Sequence, residues 1–331
     1  MKLILTRFDL MKLPLVSVGF RQLFTGLSCL CSLLLILPGC KPAGETGTQD
    51  AAATDSGTIT IYTVNEPLRY MAERLVDSSW AKVVFPAPDD VSDPAYWEPD
   101  ADLITAYQQA DLILLNGADY AGWIQTVSLP ASRMVDTSQN YQDRLIMEED
   151  GPTHQHGPEG EHSHAGVAFT TWLDFGLAQQ QAKAIFEALQ KRWPEHKEDL
   201  ARNLSLLAAD LQSLNAAMKK LGQQFGDTPV LGSHPVYQYL ARAYDLQLHF
   251  LHWEPDDMPD EASWQALDNY LRETPTQWML WEGTPNTDIK KALDDRQIKW
   301  TVFRPQGGKV SQGDFLSVME TNIESWQQRL E

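Results

Sequence analysis

The chain has 331 residues, 43% of them hydrophobic and 10% aromatic, which is enough to bury a large core and to form two domains. Its formal net charge of −19 argues against nucleic acid as a partner, because no basic surface is available to replace the counterions of a phosphate backbone. With only three cysteines, two of them in the predicted leader, the chain has neither a disulfide framework nor a thiolate zinc site.

Residues 1–40 are predicted to be a signal peptide that is not part of the fold. Basic residues surround and precede the apolar run at 27–37, which is too short for an ordinary membrane span. Met11 is an alternative start that leaves a more typical leader. The run ends in LPGC, which is similar to a bacterial lipobox, so Cys40 is predicted to carry lipid and to anchor the protein to the membrane. The alternative is a plain signal peptide with an incidental cysteine.

Residues 41–57 are small and polar and are predicted to form a flexible tether. Strand and helix patterns then alternate through residues 58–194, as they do in a parallel α/β sheet. The patterns predict strands at 58–64, 83–85 and 112–115 and helices at 67–76, 100–110 and 178–189.

A histidine-rich segment at 151–166 interrupts this first lobe. It holds four of the eight histidines of the chain, and the glycines and prolines between them exclude a regular helix or an interior strand. Such a composition is typical of metal binding, since imidazole is a common zinc ligand. The alternative is a disordered, solvated insertion. The candidate ligands in the segment are His154, His156, His162 and His164.

The clearest periodicity in the chain lies at 195–224, where leucine and methionine recur at alternating spacings of four and three residues. This pattern predicts one long helix with a single apolar face, a rigid spine between two lobes; a coiled coil is the competing interpretation. Alternation resumes at 225–331. The predicted strands there are 229–232, 246–253, 277–282 and 299–303, and the helices are 236–244, 262–273, 288–294 and 315–330.

The predicted fold class is therefore α/β, with two similar lobes that contain parallel sheets and are joined by the spine helix. A fold of this kind binds its ligand between the lobes, at the carboxyl ends of strands. His234 follows the strand at 229–232 and Glu282 ends the strand at 277–282, so both are candidates for the cleft. His249 and His252 are expected on one strand with opposite orientations, and His196 in solvent.

The mature chain resembles the zinc/manganese solute-binding lipoproteins of bacterial metal ABC importers. The order of several short motifs carries the resemblance: the lipobox, PLRY at 67–70, DPAYWEP at 93–99, ADLI at 110–113, WLD at 172–174 after the histidine-rich segment, the spine helix, and SH at 233–234 before YLARAY at 239–244. The resemblance implies two lobes bridged by a rigid helix, one metal ion in the cleft between them, and delivery of that ion to a membrane permease.

Three of the four ligand positions that the resemblance implies have changed. Ala95 and Thr170 stand where the family has histidines, and Pro305 lies where a carboxylate is expected; His234 remains. A lone imidazole cannot hold zinc at trace concentration, because zinc sites use about four donors. Other ligands are therefore predicted to take over, or else the cleft no longer binds metal. The predicted metal ligands are His234, His164, His162 and Glu282, followed by His156 and His154.

The leading functional prediction is a monomeric, lipid-anchored binding protein that faces the periplasm or cell exterior and captures Zn²⁺ for an ABC permease. Mn²⁺ or another divalent transition metal ion is the alternative cargo. A second hypothesis is a family descendant that lost the cleft site and acts through its histidine-rich segment, as a metal buffer or a partner-binding surface lipoprotein. We expect no enzyme, since the chain lacks the Gly-x-Ser-x-Gly, phosphate-loop and His-Glu-x-x-His motifs.

Overall fold

The computed structural model describes residues 57–89, 91, 93–148, 153–155, 161–163 and 166–330, with the backbone alone at 153–155 and 161–163. The predicted leader with Cys40, nearly all of the tether, and both His156 and His164 lie outside these residues. In the described part of the chain, no helix combines the length and the apolar character that crossing a membrane requires.

The first sheet contains four parallel strands in the order β2-β1-β3-β4. Buried aliphatic side chains of the central strands β1 and β3 form its core, as expected for a sheet covered on both faces. Asn65 begins the first helix by accepting a hydrogen bond from the amide of Leu68 at 3.0 Å. The elements are β1 (Ile59–Thr63), α1 (Glu66–Leu75), β2 (Ala81–Val84), α2 (Ala101–Gln109), β3 (Leu112–Leu115) and β4 (Met134–Asp136).

Two short antiparallel strand pairs follow the first sheet, one at the base of the histidine-rich segment and one within it. Strands β5 (Met147–Glu148) and β8 (Gly166–Val167) pair at its base, with Glu148 opposite Gly166. Strands β6 (Thr153–Gln155) and β7 (Glu161–Ser163) pair within it, with His154 opposite His162. In the described parts of the segment, 153–155 and 161–163, the backbone forms a short antiparallel strand pair that the composition did not reveal.

Two helices connect the sheets. Helix α3 (Phe175–Arg192) begins at Asp174, whose carboxylate accepts hydrogen bonds from the amides of Gly176 and Leu177. Helix α4 (Lys197–Phe225) is the predicted spine, and its leucine face is buried within the chain against α1, α3 and the C-terminal helix. The apolar periodicity thus reflects packing inside one chain, in agreement with the spine interpretation.

The second sheet repeats the plan of the first, with four parallel strands in the order β10-β9-β11-β12. Helices connect consecutive strands, and the last helix packs back on the spine. Both the elements and their order match the predicted fold class. The elements are β9 (Pro229–Gly232), α5 (Gln238–Ala243), β10 (Gln247–Phe250), α6 (Glu261–Glu273), β11 (Trp278–Trp281), α7 (Thr287–Asp295), β12 (Lys299–Val302) and α8 (Phe315–Leu330).

Candidate metal centre

Three neighbouring strands of the second sheet end beside one another, and each is followed by a potential metal ligand. His234 lies two residues after β9, Glu282 directly after β11, and Glu254 four residues after β10. Because β10, β9 and β11 are parallel and adjacent, their carboxyl ends meet at one edge of the sheet. The edge therefore collects one imidazole and two carboxylates, which we call the triad.

Backbone hydrogen bonds beyond the strands hold the triad together. The amide of Ser233 donates to the carbonyl of Leu280 at 2.8 Å, which keeps the segment after β9 beside β11. On the other side, the amide of Trp253 donates to the carbonyl of Ser233 at 2.8 Å. The chain after β10 therefore continues alongside the chain after β9, and Glu254 arrives next to His234.

The donor atoms of the triad converge. Nδ1 of His234 lies 3.0 Å from Oε1 of Glu254 and 4.0 Å from Oε1 of Glu282, and ligand atoms from all three residues lie within 4.8 Å of one another. Zinc bonds to histidine nitrogen and carboxylate oxygen are about 2.0–2.2 Å, so donors around a tetrahedral ion are about 3.4 Å apart. Small side-chain adjustments would bring this triad to that separation.

The triad combines a buried imidazole with half-buried carboxylates. The side chain of His234 is 3% exposed, whereas those of Glu254 and Glu282 are each 26% exposed. Partial burial strengthens the attraction between carboxylates and a cation, while the remaining exposure leaves an entry path for the ion. Within the described part of the chain, no other group of His, Cys, Asp or Glu side chains brings three ligand atoms this close.

The other histidines of the second sheet have different surroundings. The ring of His249 stacks on Tyr270 with centroids 4.0 Å apart, and burial lowers the pKa of His249. Strand β10 ends at Phe250, so the prediction that His252 shares a strand with His249 is wrong. The ring of His252 instead lies 5.9 Å from that of His234. His196, which was expected in solvent, stacks on Trp80 at 4.0 Å.

Ala95, Thr170 and Pro305, which the resemblance places at changed ligand positions, take part in packing and hydrogen bonds. Ala95 and Thr170 are buried, and Oγ1 of Thr170 donates a hydrogen bond to the carbonyl of Val236 at 2.7 Å. The carbonyl of Pro305 accepts from the indole of Trp172 at 2.8 Å. In both hydrogen bonds a side chain from the first half of the chain meets the backbone of the second half, so these bonds join the two halves directly.

A small cavity of about 140 Å³ lies beside the segment that follows His234, with Pro235 and Val236 in its wall. Glu148 at the end of β5 lines it together with Tyr96, Asp119 and Gln238. Burial raises the pKa of Glu148, while the hydrogen bond from Gln238 and the nearby His234 lower it. Burial, together with the charges of Asp93 and Glu148, raises the pKa of Tyr96, so its phenol stays protonated.

The structure brings together two of the residues predicted from the sequence, His234 and Glu282, and adds one that the sequence reasoning missed, Glu254. The sequence does contain a signal for Glu254, because this residue follows a strand of the same sheet. The predicted strand ran on to residue 253, however, so its true end at Phe250 was missed. Among the segment histidines, His154 and His162 are paired through their backbones. The placement of His162 and His164 beside His234 stays a prediction, because the side chain of His162 and all of His164 lie outside what the structure describes, as does His156.

A family model described as "ZnuA: Zinc-uptake complex component A periplasmic" matches residues 61–328. The high-affinity zinc uptake system protein ZnuA of Bacillus subtilis (strain 168) is 25% identical over 282 residues, covering 82% of this chain and 84% of that protein. The crystal structure of the metal-dependent lipoprotein YcdH from Bacillus subtilis has a TM-score of 0.69 at 20% identity, covering 82% of this chain and 99% of that one. The Zn(II)-bound ZnuA-like domain of Streptococcus pneumoniae AdcA has a TM-score of 0.68 at 20% identity, with coverage of 82% and 98%.

These matches confirm the predicted resemblance and the predicted fold. They also confirm that the chain is a solute-binding component of metal uptake and not an enzyme. The match extends over both sheets and the spine helix, so it concerns the whole described body and not one lobe. The chain therefore belongs to the ZnuA family, the periplasmic component A of zinc-uptake complexes.

Proposed function

We propose that this chain binds one Zn²⁺ ion as cargo at the triad of His234, Glu254 and Glu282 and passes it to an ABC permease. The observation that carries the proposal is the convergence of an imidazole and two carboxylates at the ends of three adjacent strands. In a parallel α/β sheet, this edge is where ligands bind. The triad thus takes the place of the cleft site whose other positions are now Ala95, Thr170 and Pro305.

Zinc is the proposed ion because of the donor types. The site offers nitrogen and oxygen without thiolate, and at such sites zinc binds more tightly than manganese in the Irving–Williams order. Two carboxylates for one imidazole make the donor set harder than an all-histidine site. We therefore expect zinc to be preferred over manganese by a smaller factor than at a site with three imidazoles.

The location and the partners follow from the sequence features and the family. We propose that the leader is removed by cleavage before Cys40, that Cys40 carries lipid, and that the tether at 41–57 links a monomeric body to the membrane. The body is proposed to consist of lobes at 58–194 and 225–331 with the spine at 195–224. A lipid-anchored body in the cell envelope would meet the importer's permease at the membrane surface, where it could release its ion.

The experiment is a competitive titration of the purified full-length protein against a zinc chelator. The His234→Ala variant is expected to lose the tight site, because the buried imidazole is the only nitrogen donor of the triad. His249→Ala is the matched control, since it removes a histidine of the same sheet that stacks on Tyr270. Equal zinc affinity of the wild type and His234→Ala would overturn the proposal.

A second candidate function is metal binding by the histidine-rich segment alone. Its support is the strand pairing that sets His154 opposite His162, since paired histidines can share an ion. Replacing His154, His156, His162 and His164 by glutamine leaves the length of the segment unchanged. If this variant loses zinc while His234→Ala keeps it, the segment is the site. X-ray absorption adds a direct count of imidazole ligands: one for the triad, and more if the segment contributes.

A further inference from the structure

The described donors of the triad all come from the second sheet, although the cleft has two sides. An ion held only by the second half of the chain would have no bond to the first half. Four-coordinate zinc with three protein donors also keeps one position open. A carboxylate of the first half of the chain that lies close to His234 would fill that position and join the ion to both halves.

Glu148 meets this description. It ends β5 in the first half of the chain and lines the cavity together with Pro235 and Val236, the residues directly after His234. Its Oε1 accepts a hydrogen bond from Nε2 of Gln238, and the same Nε2 donates to the carbonyl of Pro235 at 2.7 Å. One amide group therefore ties the Glu148 carboxylate to the residue beside His234.

The two carboxylate oxygens of Glu148 differ in their hydrogen bonding. Oε2 makes no hydrogen bond within the described part of the chain, so one oxygen is fixed by Gln238 while the second remains available as a ligand. His234 lies close enough to Glu148 to contribute to its pKa. Of the remaining ionisable groups on this wall, Tyr96 stays protonated because burial raises its pKa.

We propose that Glu148 is the fourth ligand of the metal site and the one that links the ion to the first half of the chain. This inference rests on the proposed function of the triad. It gives the site one imidazole and three carboxylates. It also places a ligand at the base of the histidine-rich segment, because Glu148 pairs with Gly166 where that segment begins and ends.

The test compares Glu148→Gln with the wild type in the full-length protein. Glutamine retains the size of the side chain and an oxygen that can accept from Gln238, so the fold is expected to persist, and circular dichroism checks this. Asp119→Asn is the matched control, since it removes one charge from the same cavity wall and asparagine tolerates the positive φ of 55° at that position. Zinc affinity is measured by chelator competition, and geometry by the visible absorption of the cobalt(II)-loaded protein.

If Glu148 is a ligand, Glu148→Gln lowers zinc affinity by at least the roughly 10–100-fold that losing an outer-shell partner costs, and it changes the cobalt spectrum. Asp119→Asn should change neither. Unchanged affinity and spectrum in Glu148→Gln, with zinc lost in His234→Ala, would overturn the role of Glu148 and leave the proposed function intact. Zinc affinity unchanged in both Glu148→Gln and His234→Ala would instead overturn the proposed function and this inference with it.

Discussion

His234 and Glu254 belong to the ends of two different strands, yet Nδ1 of the histidine lies 3.0 Å from Oε1 of the glutamate. A carboxylate next to a metal-binding imidazole can share the ion or can hold the ring in position through its other nitrogen. Glu282 Oε1 is 4.0 Å from the same Nδ1, which matches the separation of two ligands better than a hydrogen bond. Glu254 and Glu282 can therefore be tested separately, each as a ligand of the ion or as a partner that orients the ring of His234.

The first prediction concerns these two carboxylates. Glu254→Gln and Glu282→Gln should each weaken zinc binding by about tenfold or more, because an amide oxygen carries no charge to offset the ion. X-ray absorption of the zinc-loaded variants should distinguish a glutamate that binds the ion from one that only orients His234. Loss of a ligand lowers the oxygen count by one, whereas loss of an orienting partner leaves the count unchanged. Zinc affinity within twofold of the wild type in both variants would contradict the triad.

The strand-end rule explains how much of the triad could be predicted from the sequence. His234 and Glu282 directly follow short apolar runs, so the end of each strand was visible in the pattern. Glu254 was hidden because the apolar residues after Phe250 look like further strand, although hydrogen bonds to Gly232 and Ser233 hold them as an extended connection. Periodicity identifies a strand well, but it does not identify where pairing stops.

The contribution of Glu148 could not be predicted for a different reason. Strand β5 is two residues long and pairs only with β8, on the far side of a segment dominated by glycine and histidine. A strand of this length has no periodicity to detect. Its position beside Pro235 depends on how residues from the two halves of the chain pack, and a single sequence does not encode such long-range pairs in any local pattern.

The second prediction concerns Thr170, which stands where the family resemblance predicts a ligand. Its hydroxyl donates to the carbonyl of Val236 and is 2.7 Å from it, so its role is to join the two halves of the chain. Thr170→Val should lower the free energy of unfolding by about 1–3 kcal/mol, because it leaves a buried carbonyl unsatisfied. Zinc affinity should stay unchanged. Thr170→Ser retains the hydroxyl and is the control; a loss of zinc binding in Thr170→Val alone would make the hydroxyl a ligand.

The third prediction concerns the spine helix. Leu211 is fully buried, whereas Leu206 on the same helix is 58% exposed. Leu211→Ala should lower the free energy of unfolding by about 2–5 kcal/mol, because it removes buried apolar contacts and leaves a cavity. Leu206→Ala should change it by less than about 0.5 kcal/mol. Chemical denaturation of the two metal-free variants measures both, and equal losses would contradict the assignment of the buried face.

The fourth prediction concerns the dependence of zinc affinity on pH. A glutamate must be ionised to bind zinc. Burial raises the pKa of Glu148 above its usual value of 4.5. Protons therefore compete with zinc for Glu148 up to a higher pH than they do at an exposed glutamate. His234 and Tyr96 lie close enough to interact electrostatically with this carboxylate, and Gln238 is hydrogen-bonded to it. Zinc affinity should therefore fall as the pH is lowered. The ratio of wild-type to Glu148→Gln affinity should fall with it, because glutamine does not titrate, while the ratio to Asp119→Asn should stay constant. A wild-type to Glu148→Gln ratio that is independent of pH would show that the Glu148 proton and the ion do not compete for the same oxygen.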